Sequence, residues 1–276
     1  MKHIKNLFVV IIASAAITFF SSCIGNKKKT KDDTSVLMEL EKDQVQKEVA
    51  EFVYPLPTAF EVTEMLQRIG ASYIVTLSNA PDAVNKYFTE KSKAINLGIY
   101  NADLSYASTY NQKQNVIDYM KASNKLIEGL GFADVIDENT LKEIEAVEND
   151  KDKMVELITN SFYESYQYLN ETNRGSLSVL VLAGTWVEGL YIATHISEDT
   201  YNNVEMVSLV MKQKEPLNKL IDLMKGYEAN NDVIESLASL QKLHTIFNEL
   251  EDGSISKDQM EAITKEVFTV RSEIVK

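Results

Sequence analysis

Glu188 is the single charge in an otherwise apolar run from Leu177 to Ala193. A carboxylate in such a setting must find hydrogen-bond partners or take up a proton. On a helix, steps of four, three and four set Gly184, Glu188, Tyr191 and His195 along one stripe. Acid–base work on this stripe would need a third group from another helix, because Glu188 and His195 stand two turns apart. Asp103 is the second such position. Asp103, Tyr106 and Tyr110 share a helix face at steps of three and four, with Tyr100 one turn earlier, a pattern that suits a carboxylate hydrogen-bonded by phenols. With Trp186, the candidate ligand-binding set is Tyr100, Asp103, Tyr106, Trp186, Glu188, Tyr191 and His195. The same residues have an ordinary use, since tyrosines fill bundle walls and a buried glutamate can belong to a packed polar network.

Other chemistries find little support. A di-iron bundle wants Glu-x-x-His pairs on facing helices, whereas three places after Glu188 stands Tyr191. Beyond residue 22 the histidines are His195 and His244, and neither a His-Glu-x-x-His nor a Cys-x-x-Cys set occurs. Gly-x-Ser-x-Gly elbows and phosphate-cradling loops are missing too. The expectation is no catalytic residue, no metal site and no cofactor. A formal net charge of −13 repels phosphate backbones and excludes nucleic acid as a partner. Arg68, Arg174 and Arg271 are the only arginines, which speaks against a planar anion clamp.

These side chains must be positioned by helices. Four prolines and ten glycines leave few breakers, and apolar residues recur at three and four rather than two, so the fold class is all-α, a multi-helix bundle. The spacing predicts helices at about 35–53, 58–70, 71–78, 81–90, 91–110, 112–129, 140–148, 151–171, 175–196, 200–227, 231–249 and 255–275. Thr58 and Glu61 form a capping box at one start, and Pro216 should kink or split the long segment that holds it. The run 177–193 reads as the buried central helix rather than a span, given its length and its glutamate. The charge-rich segment 137–152 reads as an amphipathic surface helix joining two halves, a pattern that also serves partner binding.

The halves echo one another. Gly98-Ile-Tyr-Asn-Ala-Asp-Leu104-Ser-Tyr-Ala107 aligns with Gly184-Thr-Trp-Val-Glu-Gly-Leu190-Tyr-Ile-Ala193, an offset of 184 − 98 = 86. Downstream, Asn124-Lys-Leu-Ile-Glu128 recurs as Asn218-Lys-Leu-Ile-Asp222 at 218 − 124 = 94, so a small insertion separates them. This pattern predicts two related helical halves, about 58–148 and 151–250, sharing one core, with 255–275 as a further C-terminal helix. Opposite Gly184, Glu188, Tyr191 and His195 the first half offers Gly98, Ala102, Ser105 and Thr109. A small stripe facing a bulky polar one leaves either a packed network or a modest pocket between the two helices.

The N-terminus states a destination. Lys2 and Lys5 precede an apolar stretch from Leu7 to Phe20, followed by Ser21, Ser22 and Cys23, the only cysteine. This is a signal peptide over 1–22 rather than a span, which needs ~20 apolar residues. A cut before Cys23 makes it the expected lipidation site, although Phe20 stands where an aliphatic residue is usual. Lipidation leaves no thiol for a disulfide or a nucleophile. Without its signal the chain has 276 − 22 = 254 residues and a charge of −13 − 2 = −15, ample for a buried core. Residues 23–53 form a lipidated tether and polar helix, and 54–276 a helical domain. In the tether, Lys27-Lys28-Lys29-Thr30-Lys31 either touches headgroups or is simply solvated.

The segments Tyr54-Pro-Leu-Pro-Thr-Ala-Phe-Glu-Val-Thr-Glu-Met-Leu66 and Lys93-Ala-Ile-Asn-Leu-Gly-Ile-Tyr-Asn-Ala-Asp-Leu-Ser-Tyr-Ala-Ser-Thr-Tyr110 resemble those of an uncharacterised family of all-helical cell-envelope lipoproteins of Bacteroidota. The resemblance covers most of the chain after the tether and implies location and fold, with no activity attached. Surface-exposed lipoproteins of that group often carry acidic residues soon after the cysteine, whereas here Ile24-Gly-Asn-Lys-Lys-Lys comes first. The implied place is the periplasmic face of the outer membrane. Taken together, the expectation is a non-enzymatic module held to the membrane by its N-terminal lipid, binding an envelope protein or a small ligand. The alternative is a small-ligand receptor or enzyme using a polar pocket between the two central helices.

Overall fold

The computed structural model describes residues 59–132, 150–197, 200–251 and 254–276. Cys23, the polar helix at 35–53, the Thr58 cap and the segment at 140–148 lie outside the described residues. Within them the chain is all-α, a multi-helix bundle with no strand. The helices are α1 (Ala59–Arg68), α2 (Glu90–Thr109), α3 (Lys113–Gly129), α4 (Lys151–Glu171), α5 (Gly175–His195), α6 (Val204–Met211), α7 (Lys214–Lys225), α8 (Asn231–Asn248) and α9 (Lys257–Ile274).

Local sequence explains most boundaries. Thr89 with Ser92 and Ser256 with Gln259 close reciprocal capping boxes at the starts of α2 and α9. Asp150, Asn203 and Asn230 cap α4, α6 and α8 with their side chains. After α2 and α4 the chain turns through Asn111 and Asn173, with φ of 55° and 60°, left-handed backbone that asparagine tolerates. The segment predicted as one helix over 200–227 is two, and the break falls at Lys212 and Gln213, ahead of Pro216. Pro216 sits in the first turn of α7, where its missing N–H has no helical acceptor to lose.

Two expected helices did not form as such. Residues 71–78 and 81–90 hold only short 3-10 turns, Val75–Leu77 and Pro81–Lys86. This irregular stretch is a strap lying along α2; its 3-10 turns bond within themselves, and other backbone groups of the strap find partners on that helix.

The core is organised by the crossing of α2 and α5. α5 is long and apolar enough to cross a membrane, yet 94% of its most apolar window is buried inside the bundle. At the crossing the two backbones touch. A Cβ on Gly98 would lie 2.0 Å from the Val181 carbonyl oxygen, and one on Gly184 would lie 1.9 Å from that of Ile95. Val181 is three residues before Gly184 and Ile95 three before Gly98, so each glycine meets the same position of the other helix. The contact between α2 and α5 is thus locally twofold. The change of offset from 86 to 94, eight positions, falls between Ala193 and Asn218, the interval that holds the eight-residue α6.

Candidate functional site

The apolar character of α5 buries Glu188 completely, and a stripe of Ile263, Val267 and Val270 docks α9 against the bundle. Arg271, one turn beyond Val267, is thereby delivered to Glu188. Its Nε donates to Glu188 Oε2 and its Nη2 to Oε1, both at 2.9 Å. Nη2 also donates to the Leu77 carbonyl of the strap at 3.0 Å. The guanidinium lies over the Tyr191 ring, 4.4 Å from its centre, a cation–π contact that adds to the ion pair. Burial alone would lower the Arg271 pKa, but the charge and hydrogen bonds of Glu188 outweigh it and raise it. Arginine scarcity therefore misled in one respect: a planar clamp exists, and it holds the chain's own carboxylate. Each arginine has such a partner, with Arg174 on Glu90 at 2.5 Å and Arg68 on Glu205 at 3.9 Å.

Asp103 stands beside this pair. It is fully buried; its Oδ2 accepts the Asn79 backbone N–H at 3.0 Å, and the Glu188 carboxylate lies within hydrogen-bonding reach of it. Burial, reinforced by the Glu188 charge, pushes its carboxyl well above the usual carboxylate range despite the nearby Arg271. Two carboxyls thus lie beside one guanidinium that, of the two, bonds only Glu188, and a proton on Asp103 relieves the repulsion between them.

The tyrosines do not bond Asp103. They bond the strap. Tyr110 donates to the Ala71 carbonyl at 2.8 Å, Tyr106 accepts the Ile74 N–H at 2.8 Å, and Tyr100 donates to the Ala80 carbonyl at 2.9 Å. With Asp103 on Asn79, four side chains spaced one turn apart down α2 meet strap residues in reverse chain order. Burial raises the pKa of all three phenols, to about 12 for Tyr110. The predicted carboxylate–phenol cluster is a row of fasteners for irregular backbone, which cannot be buried without partners.

Tyr191 and His195 stack at 4.2 Å between ring centres, with Phe268 of α9 6.0 Å from the imidazole. Burial lowers the His195 pKa, and the hydrogen bond of its Nδ1 to the Tyr191 carbonyl at 2.9 Å works against this. Trp186 is apart from the rest, edge-on to Phe247 at 6.1 Å, with its Nε1 unpartnered among the described residues. Of the facing stripe of small residues, Thr109 meets Thr63 of α1 at 2.8 Å rather than α5.

No family model, curated protein or solved structure matches the chain. Geometry alone must speak for the site. It brings Asp103, Glu188 and Tyr191 together around Arg271, spends Tyr100 and Tyr106 on the strap, and sets Trp186 elsewhere. Among the described residues no three His, Cys, Asp or Glu side chains converge as metal ligands. A concavity of about 350 Å³ opens instead between α2, α5, α8 and α9 and is lined by none of the seven candidates. Sequence reasoning missed Arg271, although a lone buried glutamate calls for a cation and only three arginines were available.

Proposed function

We propose that the chain is a lipid-anchored module of the outer membrane, facing the periplasm, whose helical body binds another envelope component and carries out no reaction. The observation that carries this reading is Cys23 directly behind a basic start and a short apolar stretch ending at Phe20. Acylation there tethers the body through the lysine-bearing segment that follows. The engagement of Glu188 by Arg271 supports the non-catalytic part, because a nucleophile or base must have an oxygen free to meet substrate. The use of the Asp103 and tyrosine face to fasten the strap supports it as well.

Growth with labelled palmitate tests the anchor. The wild type should take up label in the membrane fraction and Cys23→Ala should not; label on the variant would sink the assignment. Protease added to intact cells tests the face, since a periplasmic body is spared until the outer membrane is opened.

A further inference from the structure

The cleft between α2, α5, α8 and α9 encloses about 350 Å³, inside the span of small-molecule and side-chain pockets, roughly 300–1,000 Å³. Ile95, Ala183, Val187, Leu240 and Val270 make its floor apolar. Its edge is fixed by the buried Asn96 amide, which donates to the Ser92 carbonyl at 2.9 Å and the Ile274 carbonyl at 3.0 Å. On the rim Lys91 and Glu235 pair at 2.7 Å and cancel. Glu273 is left, exposed and without an ion pair among the described residues. It stands in the last turn of α9, where the helix dipole adds negative potential. The rim thus carries one uncompensated negative charge above an apolar floor.

We propose that this cleft receives a lysine side chain of a partner protein. Its aliphatic stem lies on the floor and its ammonium meets Glu273. A single exposed carboxylate suits a compact ammonium better than a two-pronged guanidinium, and the stem matches the apolar floor as alkyl chains do elsewhere. The proposal rests on reading the body as a binding module, but not on the lipid anchor, so palmitate labelling and the following test fail independently.

The described helices bury their core among themselves, so the chain from residue 24 onward can be titrated without detergent. Three probes are followed by backbone-amide NMR: the blocked peptides Ac-Leu-Lys-Leu-NH2 and Ac-Leu-Glu-Leu-NH2, and pentylamine. The lysine peptide should give saturable shifts at Ser239, Val270 and Ile274, with the glutamate peptide and pentylamine about tenfold weaker or more, as charge mismatch and the lost flanking residues demand. Glu273→Gln should weaken the lysine peptide several-fold at unchanged melting temperature, and Ser239→Phe should block the cleft. Equal binding of the two peptides, shifts confined to another surface, no saturable shift, or indifference to Glu273→Gln would each overturn the proposal. Pentylamine binding as tightly as the lysine peptide would overturn the protein partner in favour of a free amine.

Discussion

Arg271 closes two nitrogens on the Glu188 carboxylate, at 2.9 Å each, across 83 positions of chain. The contact joins the last helix to the most buried one, and a third bond to the Leu77 carbonyl brings in the strap. Such a pair is weak grounds for net stability, because two charges have left water to form it. Breaking it from one side is another matter.

Arg271→Met leaves Glu188 buried without a cation and should cost about 3–5 kcal/mol. Urea unfolding measures this. The double variant Glu188→Gln with Arg271→Met should recover much of the loss, because no unpaired charge then remains inside; an additive double variant would mean that the two residues do not act as a pair.

Asp103 sets a dependence on pH. Its folded carboxyl keeps a proton that the unfolded chain releases above about pH 3.9. Its contribution is therefore complete in acid and is lost as pH rises, by up to about 1.4 kcal/mol per pH unit, until the folded carboxyl ionises. His195 runs the other way. Burial lowers its pKa, so the unfolded chain binds the extra proton, and stability grows as pH rises toward about 6.5. Asp103→Asn removes the first effect alone. Measured from pH 4 to 9, the stability of the wild type relative to this variant should decline; a difference independent of pH would show that Asp103 titrates as an ordinary aspartate.

The glycines of α5 give an internal control. Gly184→Ala drives a methyl to 1.9 Å from the Ile95 oxygen and should cost about 3 kcal/mol or more, the upper range of overpacking. Gly98→Ala should behave alike. Gly189, on α5 with Gly184, has open space for 4 Å around the place a methyl would take, and Gly189→Ala should be neutral or stabilise by up to about 1 kcal/mol. Thermal melting of the three variants decides the matter.

Tyr106→Phe deprives the Ile74 N–H of its acceptor. The expected loss is about 1 kcal/mol, seen in hydrogen exchange as faster exchange of Ile74 and its strap neighbours while amides of α8 keep their rates. Unchanged exchange at Ile74 would show that the strap holds without its phenol contacts.

Much of the frame was legible in the chain because helices announce themselves locally. The 151–171 helix agrees with α4 at both ends, and 91–110 and 231–249 agree with α2 and α8 within a residue. The burial of α5 followed from its lone charge, and the Gly98–Gly184 echo anticipated the crossing. The strap was not legible. Ile74, Val75 and Thr76 are β-branched and weak helix formers, but their alternative depends on acceptors and donors lying about thirty positions away on α2. The same distance in sequence hid Arg271, which on its own reads as one more polar residue of an amphipathic helix. Tyr100 and Asp103 share a helix face as their spacing predicts, but what they bind is main chain, which carries no sequence signature.

The glycine crossing has one further meaning. A contact in which each member meets the position three before the other is isologous, the form that two identical subunits adopt about a dyad. The two central helices of this single chain therefore meet as two helices meet across the dyad of a homodimer, each glycine standing where the other would stand.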